Sequence, residues 1–341
     1  MNSNSARQCY DLFDLVKLIM SIMIIAIHSS LFTMYLYPWL RIAIPIFFVI
    51  SSYLFFSKIS RQQDLQEQKA SLKKFASKNL RLWLIWSLIL LPVVIYIRRN
   101  FYDDGIIGFL KLIKSIFFGG TFVGGWFIIA LVEGVAIIYF LSKRMKTVYI
   151  MLISLLLNLL SVFESSYVAL LDSSSVVSKA ISIFDEALTT PAYSVICGLL
   201  WIAIGKLFAE GKINLKLKWS VLIALISAIG LYVEWLALYR LTSFHKNDCY
   251  IFLIPLCISL FAIIEKFKEV KIPNARLLRK ASTVIYVAHG AVISVSSFVL
   301  RRVFENVYSV IVFLLTFVAC FTFTLIINKL EKRFSWLKNL Y

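Results

Sequence analysis

One histidine lies in the middle of a long apolar run, an unusual place for an ionisable side chain. His28 stands in the segment IIAIHSSLF, inside the first predicted membrane-crossing helix. Arg41 follows near the outer end of the next predicted span, after the short connection TMYLYP. A neutral imidazole beside a fixed cation could act as a general base, because the cation disfavours a second positive charge and stabilises a developing anion. The pair therefore predicts acid–base chemistry within the membrane; the alternative is a histidine that only hydrogen-bonds a neighbouring carbonyl.

Five further ionisable residues fall within or at the edges of predicted spans, where a charge is costly unless it is paired or faces a polar cavity. Asp14 and Lys17 are one helical turn apart and could form a simple interfacial ion pair. Glu133 stands in mid-span with no obvious partner, and His289 could be a hydrogen-bonded packing residue. Glu234 lies near the outer end of its span, so snorkelling towards the headgroups is expected.

The composition places these residues in a membrane protein. Of the 341 residues 60% are hydrophobic and 16% charged, whereas soluble domains have about 45–50% apolar and about 25% charged residues. The apolar residues form blocks close to the ~20 residues that cross a bilayer as a helix. They predict an all-α, polytopic integral membrane protein in which residues 1–341 form a single transmembrane domain, with no soluble domain and no signal peptide. The ten predicted spans are 12–32, 36–56, 82–97, 124–141, 148–163, 191–209, 219–238, 249–264, 283–299 and 307–328.

The distribution of basic residues predicts the orientation of the spans. Most of the 36 Lys and Arg residues fall in one set of alternate loops, including the polar stretch 57–80. The positive-inside rule then places both termini in the cytoplasm. The net charge of +18 follows from this topology, so no nucleic-acid partner is predicted.

The five cysteines show no paired spacing. Most of them lie in apolar segments: Cys9, Cys197, Cys249, Cys257 and Cys320. We expect buried thiols rather than disulfides or metal ligands, and no metal site is predicted.

Two adjacent motifs resemble the opening of the type 3 membrane acyltransferase family. The segment DLVKLIMSIMIIAIHSS contains the family's acidic residue, a basic residue three positions later and a histidine eleven after that, here Asp14, Lys17 and His28. The segment LRIAIPIFFVISSYLFF resembles the family's second helix from Arg41 to Tyr53. Three later segments are similar to further family motifs: GGWFIIALVEG with Trp126, DCYIFLIPLCISLFA, and LRKASTVIYVAHGAVI with His289.

The chain also departs from the family pattern. Lys17 stands where many members have Arg, and KNLR, from Lys78 to Arg81, replaces an Arg-x-x-Arg motif. These changes keep the positive charge but lose the planar bidentate fork of a guanidinium. Ser52 stands where the family has a glycine, and two glycines stand before Trp126 where the family has a His/aromatic-Leu pair. The segment at the start of the sixth predicted span, LTTPAYS, lacks an arginine that family members often have at this place.

The resemblance implies an acyl-CoA donor, with acetyl-CoA the first expectation, and an acceptor hydroxyl on a surface polysaccharide or its lipid-linked precursor. Lys78 and Arg81 would hold the phosphates of coenzyme A, although a positive-inside loop would look the same. His28 would deprotonate the acceptor while Arg41 stabilises the oxyanion, or His28 would carry the acyl group transiently. Asp14 and Lys17 complete the catalytic motif. Trp126 and Tyr53 would line the donor channel, or simply anchor the chain at the membrane interface.

Two other classes of protein remain open. A transporter or flippase could use Asp14, Lys17, Glu133 and His28 as a proton or substrate path. A binding or uptake module is the second alternative, similar to the membrane half of the vancomycin-resistance serine racemases. In each case we expect a multi-pass protein of the cytoplasmic membrane, with the lipid bilayer as a partner and homo-oligomerisation left open.

Overall fold

The computed structural model describes residues 10–31, 35–97, 105–187, 190–242, 248–304 and 308–341, and all regular elements within them are helices. This confirms the all-α class. The α-helices are α1 Asp11–His28, α2 Tyr37–Leu40, α3 Ala43–Ile59, α4 Leu65–Ile89, α5 Leu91–Ile97, α6 Gly105–Gly119, α7 Gly125–Leu141, α8 Thr147–Ser165, α9 Val176–Ala187, α10 Val195–Ala209, α11 Leu217–Thr242, α12 Leu253–Lys266, α13 Ala275–Val303 and α14 Ser309–Leu330. Short 3-10 helices cover Val168–Leu170, Pro191–Tyr193 and Ser335–Leu340.

Five helical segments in the described part of the chain are long and apolar enough to cross a membrane. They are Tyr37–Ile59, Thr147–Ser165, Leu217–Leu241, Ala275–Arg302 and Ser309–Leu330. Two shorter apolar helices, α7 and α10, match predicted spans as well. The number of ten spans and the cytoplasmic location of both termini stay predictions. Several residues named above lie outside the described residues: Cys9, Thr33 and Met34 of TMYLYP, Leu188 and Thr189 of LTTPAYS, and the first residue of the last predicted span.

The inner helices pack closely around α3. Helix α1 runs along α13, α10 packs on α3, and α7 and α8 flank α10. Gly205 makes the α10–α3 contact possible, since a Cβ there would lie 2.0 Å from the Ser52 hydroxyl oxygen and 2.6 Å from the Val49 carbonyl oxygen. Small residues let membrane helices approach in this way. Ser52 therefore occupies its position without widening the interface, because Gly205 faces it.

The polar stretch 57–80 is largely helical. Helix α4 begins at Leu65, where the Asp64 carboxylate caps it by accepting hydrogen bonds from the backbone N–H groups of Gln66 and Glu67. The first turns are rich in Gln, Glu, Lys and Ala, which favour a helix even when it is polar all round. Lys78 and Arg81 consequently lie inside one continuous helix that leads into the apolar Trp83–Ile89 segment. The sequence analysis treated this stretch as a polar connection between two spans and did not predict the helix within it.

Glu234 does not snorkel towards the headgroups, so that expectation is wrong. Its side chain is buried and accepts hydrogen bonds from the Tyr167 hydroxyl and from the backbone N–H groups of Ile251 and Phe252. These N–H groups stand at the start of α12, where a helix has no backbone partners of its own. A carboxylate at a helix N-terminus is favoured by the helix dipole, so Glu234 ties α11 to α12.

Candidate active site

Two histidines from distant parts of the chain meet at the end of α1. His28 is the last residue of α1 and is exposed, whereas His289 of α13 is fully buried. Their ring centroids are 4.9 Å apart. The Nδ1 atom of His289 lies 2.7 Å from the carbonyl oxygen of Tyr286. Because a carbonyl oxygen only accepts, Nδ1 carries the proton and Nε2 of a neutral ring keeps its lone pair.

Gly124 makes room for the buried histidine. The hydroxyl of Tyr286 donates a hydrogen bond of 2.7 Å to the Gly124 carbonyl oxygen. Gly124 has a φ of +83°, and a Cβ there would stand 3.2 Å from the Tyr286 hydroxyl oxygen and 3.5 Å from Cε1 of His289. Glycine is favoured in this left-handed conformation. Gly124, one of the two glycines that replace the family's His/aromatic-Leu pair before Trp126, thus allows the backbone to lie against the histidine pair.

Arg41 lies at the end of α2 and forms a partly buried ion pair with Asp248. Their side chains are 15% and 12% exposed, and the Arg41 guanidinium also stands 4.3 Å from the ring centroid of Tyr37. Asp248 accepts a second hydrogen bond from the Tyr193 hydroxyl. Arg41 is close enough to His28 to act on it electrostatically, as the sequence predicts. Asp248 and Tyr193 were not predicted as site residues, although Asp248 opens the segment DCYIFLIPLCISLFA.

A cavity lies beside this ion pair. It encloses about 520 Å³, open space at its mouth included, and its lining contains Ile27, Arg41, Trp126, Tyr193 and Asp248. Ile27 precedes His28 directly, so the cavity borders the end of α1 that carries the histidine pair.

A second group of charged residues lies at the other end of α1. Nε of Arg279 is 3.5 Å from Oδ2 of Asp14. Lys17 interacts electrostatically with Asp14, Lys78 and Arg279. Asp14 precedes His28 by 14 residues, or about 21 Å of helix. Residues predicted separately as catalytic and as donor-binding therefore form one cluster, and Arg279 of α13 is a member that the sequence analysis missed.

Comparison with known proteins decides the family. A model described as an acyltransferase domain matches residues 10–327. The chain belongs to the type 3 membrane acyltransferase family. The chain is similar to an amino-acid racemase of Enterococcus faecalis, with 26% identity over 180 residues that cover 50% of the chain and 24% of the relative. It is also similar to a serine/alanine racemase of Enterococcus gallinarum, with 23% identity over 260 residues, 74% of the chain and 36% of the relative.

The chain thus spans about a third or less of the length of these two curated relatives. No solved structure matches it. Among the described residues, no three His, Cys, Asp or Glu side chains form a group that could hold a metal ion.

The remaining predicted site residues lie apart from one another. Trp126 lines the cavity, with its ring centroid 5.8 Å from that of Tyr193. Tyr53 is buried near the opposite end of α3, where its hydroxyl accepts a 3.3 Å hydrogen bond from Lys268. Tyr53 is not in the described lining of the cavity that Trp126 lines, and a donor channel lined by both residues stays a prediction.

Arg81 and Glu133 join neither charged group. Arg81 donates a 3.5 Å hydrogen bond to Oδ1 of Asn339 near the chain end. Glu133 is half-buried on α7, and the described residues offer it no hydrogen bond. Arg279 is a better placed cation than Arg81 beside Lys78, because it contacts Asp14 directly.

Proposed function

We propose that this acyltransferase moves an acyl group, in the simplest case acetyl, from cytoplasmic acyl-CoA to a hydroxyl of a cell-surface carbohydrate or its lipid-linked precursor. The observation that carries the proposal is the arrangement along α1. A cationic group stands at one end, and a histidine pair beside a cavity stands at the other. Residues 1–341 act in the cytoplasmic membrane as a single transmembrane domain in this proposal.

The donor binds at the end of α1 that carries Lys17. Lys17, Lys78 and Arg279 lie close enough to repel one another, and Asp14 lies among them with Asp11 close enough to act on it. A cluster with this excess of positive charge is stabilised when anionic phosphates bind between the cations. The phosphates of coenzyme A supply that charge, and its acyl-bearing arm extends along α1 towards His28.

The transfer step takes place at the histidine pair. His28 accepts the proton of the acceptor hydroxyl, whose oxygen attacks the thioester carbonyl carbon. Arg41 stays paired with Asp248 through Nη1 and stabilises the oxyanion with an N–H donor that this contact leaves free. The carbon–sulfur bond then breaks, and the departing thiolate takes the proton from the His28 imidazolium. His289 packs against His28 and positions it.

Mass spectrometry of surface glycans from cells with and without the protein tests the proposal. We expect glycan masses to differ by one acyl group per modified unit. A matched strain that carries His28→Ala controls for expression and should resemble the strain without the protein. Identical glycan spectra in all three strains, with the protein present in the membrane, would refute transfer to surface carbohydrate.

A second candidate function is uptake or binding of an amino acid. It is favoured by the names of the two relatives, an amino-acid racemase and a serine/alanine racemase. Accumulation of radiolabelled L-serine by cells that express the chain separates the two functions. Uptake that survives His28→Ala, without any acylated glycan, would favour the binding module over the acyltransferase reaction.

A further inference from the structure

The cavity beside Arg41 holds polar groups that other described residues do not satisfy. Asn158 and Trp201 both line it and are 2% and 3% exposed. Within the described part of the chain, Oδ1 of Asn158, Nε1 of Trp201 and Nε of Arg41 find no hydrogen-bond partner. A buried polar group without a partner is destabilising, and its presence calls for an explanation such as a ligand. Together with the hydroxyl of Tyr250, another lining residue without a hydrogen-bond partner among the described residues, these three atoms form a hydrogen-bonding site.

The charges of the cavity are already balanced. Arg41 and Asp248 are the charged side chains in its described lining, and they pair with each other. The rest of the described lining is apolar, aromatic or uncharged. An anionic ligand would compete with Asp248 for Arg41, and separating a buried pair costs several kcal/mol. The lining therefore favours an uncharged ligand.

The unsatisfied groups of the cavity also indicate that its ligand carries hydroxyls rather than carboxylates or phosphates. Trp201 Nε1–H and Arg41 Nε–H are donors, whereas Asn158 Oδ1 is an acceptor. A hydroxyl both accepts and donates, so vicinal hydroxyls can satisfy all three atoms. A carboxylate or phosphate has only acceptors when it is ionised, and it would leave Asn158 Oδ1 unsatisfied. Trp126 and Tyr193 offer aromatic surface to the apolar face of a sugar ring.

We infer that this cavity binds an uncharged, polyhydroxylated unit of the acceptor, a neutral sugar rather than a sugar acid or a sugar phosphate. The inference rests on the proposed function, since it places the acceptor unit next to His28. Ile27, which lines the cavity, is the chain neighbour of His28. A sugar held there presents a hydroxyl to the histidine pair.

Trp201→Phe tests the inference, because it removes one hydrogen-bond donor and keeps an aromatic ring. The assay is transfer from radiolabelled acetyl-CoA to deacylated oligosaccharides, released from the surface polysaccharide of the host cell. We expect the KM for the oligosaccharide to rise roughly two- to twelvefold, as for one lost hydrogen bond, with the KM for acetyl-CoA unchanged. An unchanged oligosaccharide KM would overturn the inference while leaving the proposed function intact.

Trp235→Phe is the matched control. Trp235 is also buried, at 4% exposure, and its indole N–H likewise finds no partner among the described residues. It is not part of the described cavity lining. We expect both KM values to stay at the wild-type level. An equal rise in oligosaccharide KM for both variants would show a general packing effect and would overturn the inference.

A binding assay keeps the inference testable if the wild type transfers no acyl group, a result that would refute the proposed function. Cys197 and Cys249 line the cavity, whereas Cys257 is fully buried in α12 and is not in its described lining. We expect a neutral oligosaccharide to slow methanethiosulfonate labelling of the first two thiols, but not of Cys257. An oligosaccharide rich in uronic acid should protect less. Equal labelling with and without the neutral oligosaccharide would overturn the inference.

Discussion

The histidine pair yields the sharpest prediction, because its two members should respond differently to substitution. His28 is exposed at the end of α1 and His289 is fully buried behind it. If His28 is the general base, His28→Ala should lower the acyl-transfer rate roughly 10²–10⁴-fold. The Nδ1–H of His289 is satisfied by the Tyr286 carbonyl, so His289 acts through its contact with His28. His289→Gln should then cost about one hydrogen bond, roughly two- to twelvefold.

The assay is transfer from radiolabelled acetyl-CoA in membrane vesicles, with the amount of each variant measured by immunoblot. Binding of labelled coenzyme A to the same vesicles serves as the control, because the cationic group lies about 21 Å from His28 along α1. We expect both variants to keep donor binding. Near wild-type transfer by His28→Ala would refute its role as base. A loss in His289→Gln as severe as in His28→Ala would assign the base to the buried ring instead.

Three other predictions concern the charged residues. Lys78→Gln should raise the acyl-CoA concentration for half-maximal rate by roughly 10- to 150-fold, because one charge-assisted contact of about 1.5–3 kcal/mol is lost. The control, Lys146→Gln on an exposed loop, should leave this concentration unchanged. Equal effects of the two substitutions would mean that only the general loss of positive charge matters. Glu234→Gln should destabilise the protein by about 1.5–3 kcal/mol, because it weakens the hydrogen bonds from the Tyr167 hydroxyl and from two backbone N–H groups at the start of α12. Thermal unfolding in detergent measures this change. An unchanged unfolding midpoint would contradict the capping role. Although burial opposes it, hydrogen bonds from Lys280 and Tyr341 hold the pKa of Glu331 below its ordinary value of 4.5. The stabilisation from Glu331 is therefore present above pH 4.5 and lost as the pH falls through the lowered pKa. The thermal unfolding midpoints of the wild type and of Glu331→Gln should differ at pH 7 and converge in acid. A difference between the two midpoints that stays constant with pH would refute this stabilisation.

Local patterns allowed much of the site to be predicted. The apolar run that contains His28 predicted a helix with an ionisable group, and α1 covers that run up to His28, because hydropathy and the cost of buried charge depend on the sequence alone. The spacing of Asp14, Lys17 and His28 places two charged residues at one end of α1 and the histidine at the other, since the helical rise is constant. These features required no knowledge of how the helices pack.

Long-range partners could not be predicted in this way. Arg41 and Asp248 are about 200 positions apart in the sequence, and Asp14 and Arg279 are more than 250 positions apart. No local pattern relates such residues, because helix packing alone brings them together. Arg81 is a case in which a local pattern predicted the wrong neighbour. The KNLR motif predicted that Arg81 acts together with Lys78, yet the Arg81 side chain contacts Asn339.

The division between sequence and structure has one physical reason. Sequence by itself determined the all-α class, the apolar surroundings of His28 in the chain and the excess of basic residues, since each depends on local composition, periodicity and charge. Only the tertiary structure decided that His289 stands beside His28, that Asp248 balances Arg41, and that Asn158 and Trp201 face the same cavity. Those relations come from the packing of α1 against α13 and of α10 against α3, where side-chain shape and small residues such as Gly205 select one arrangement.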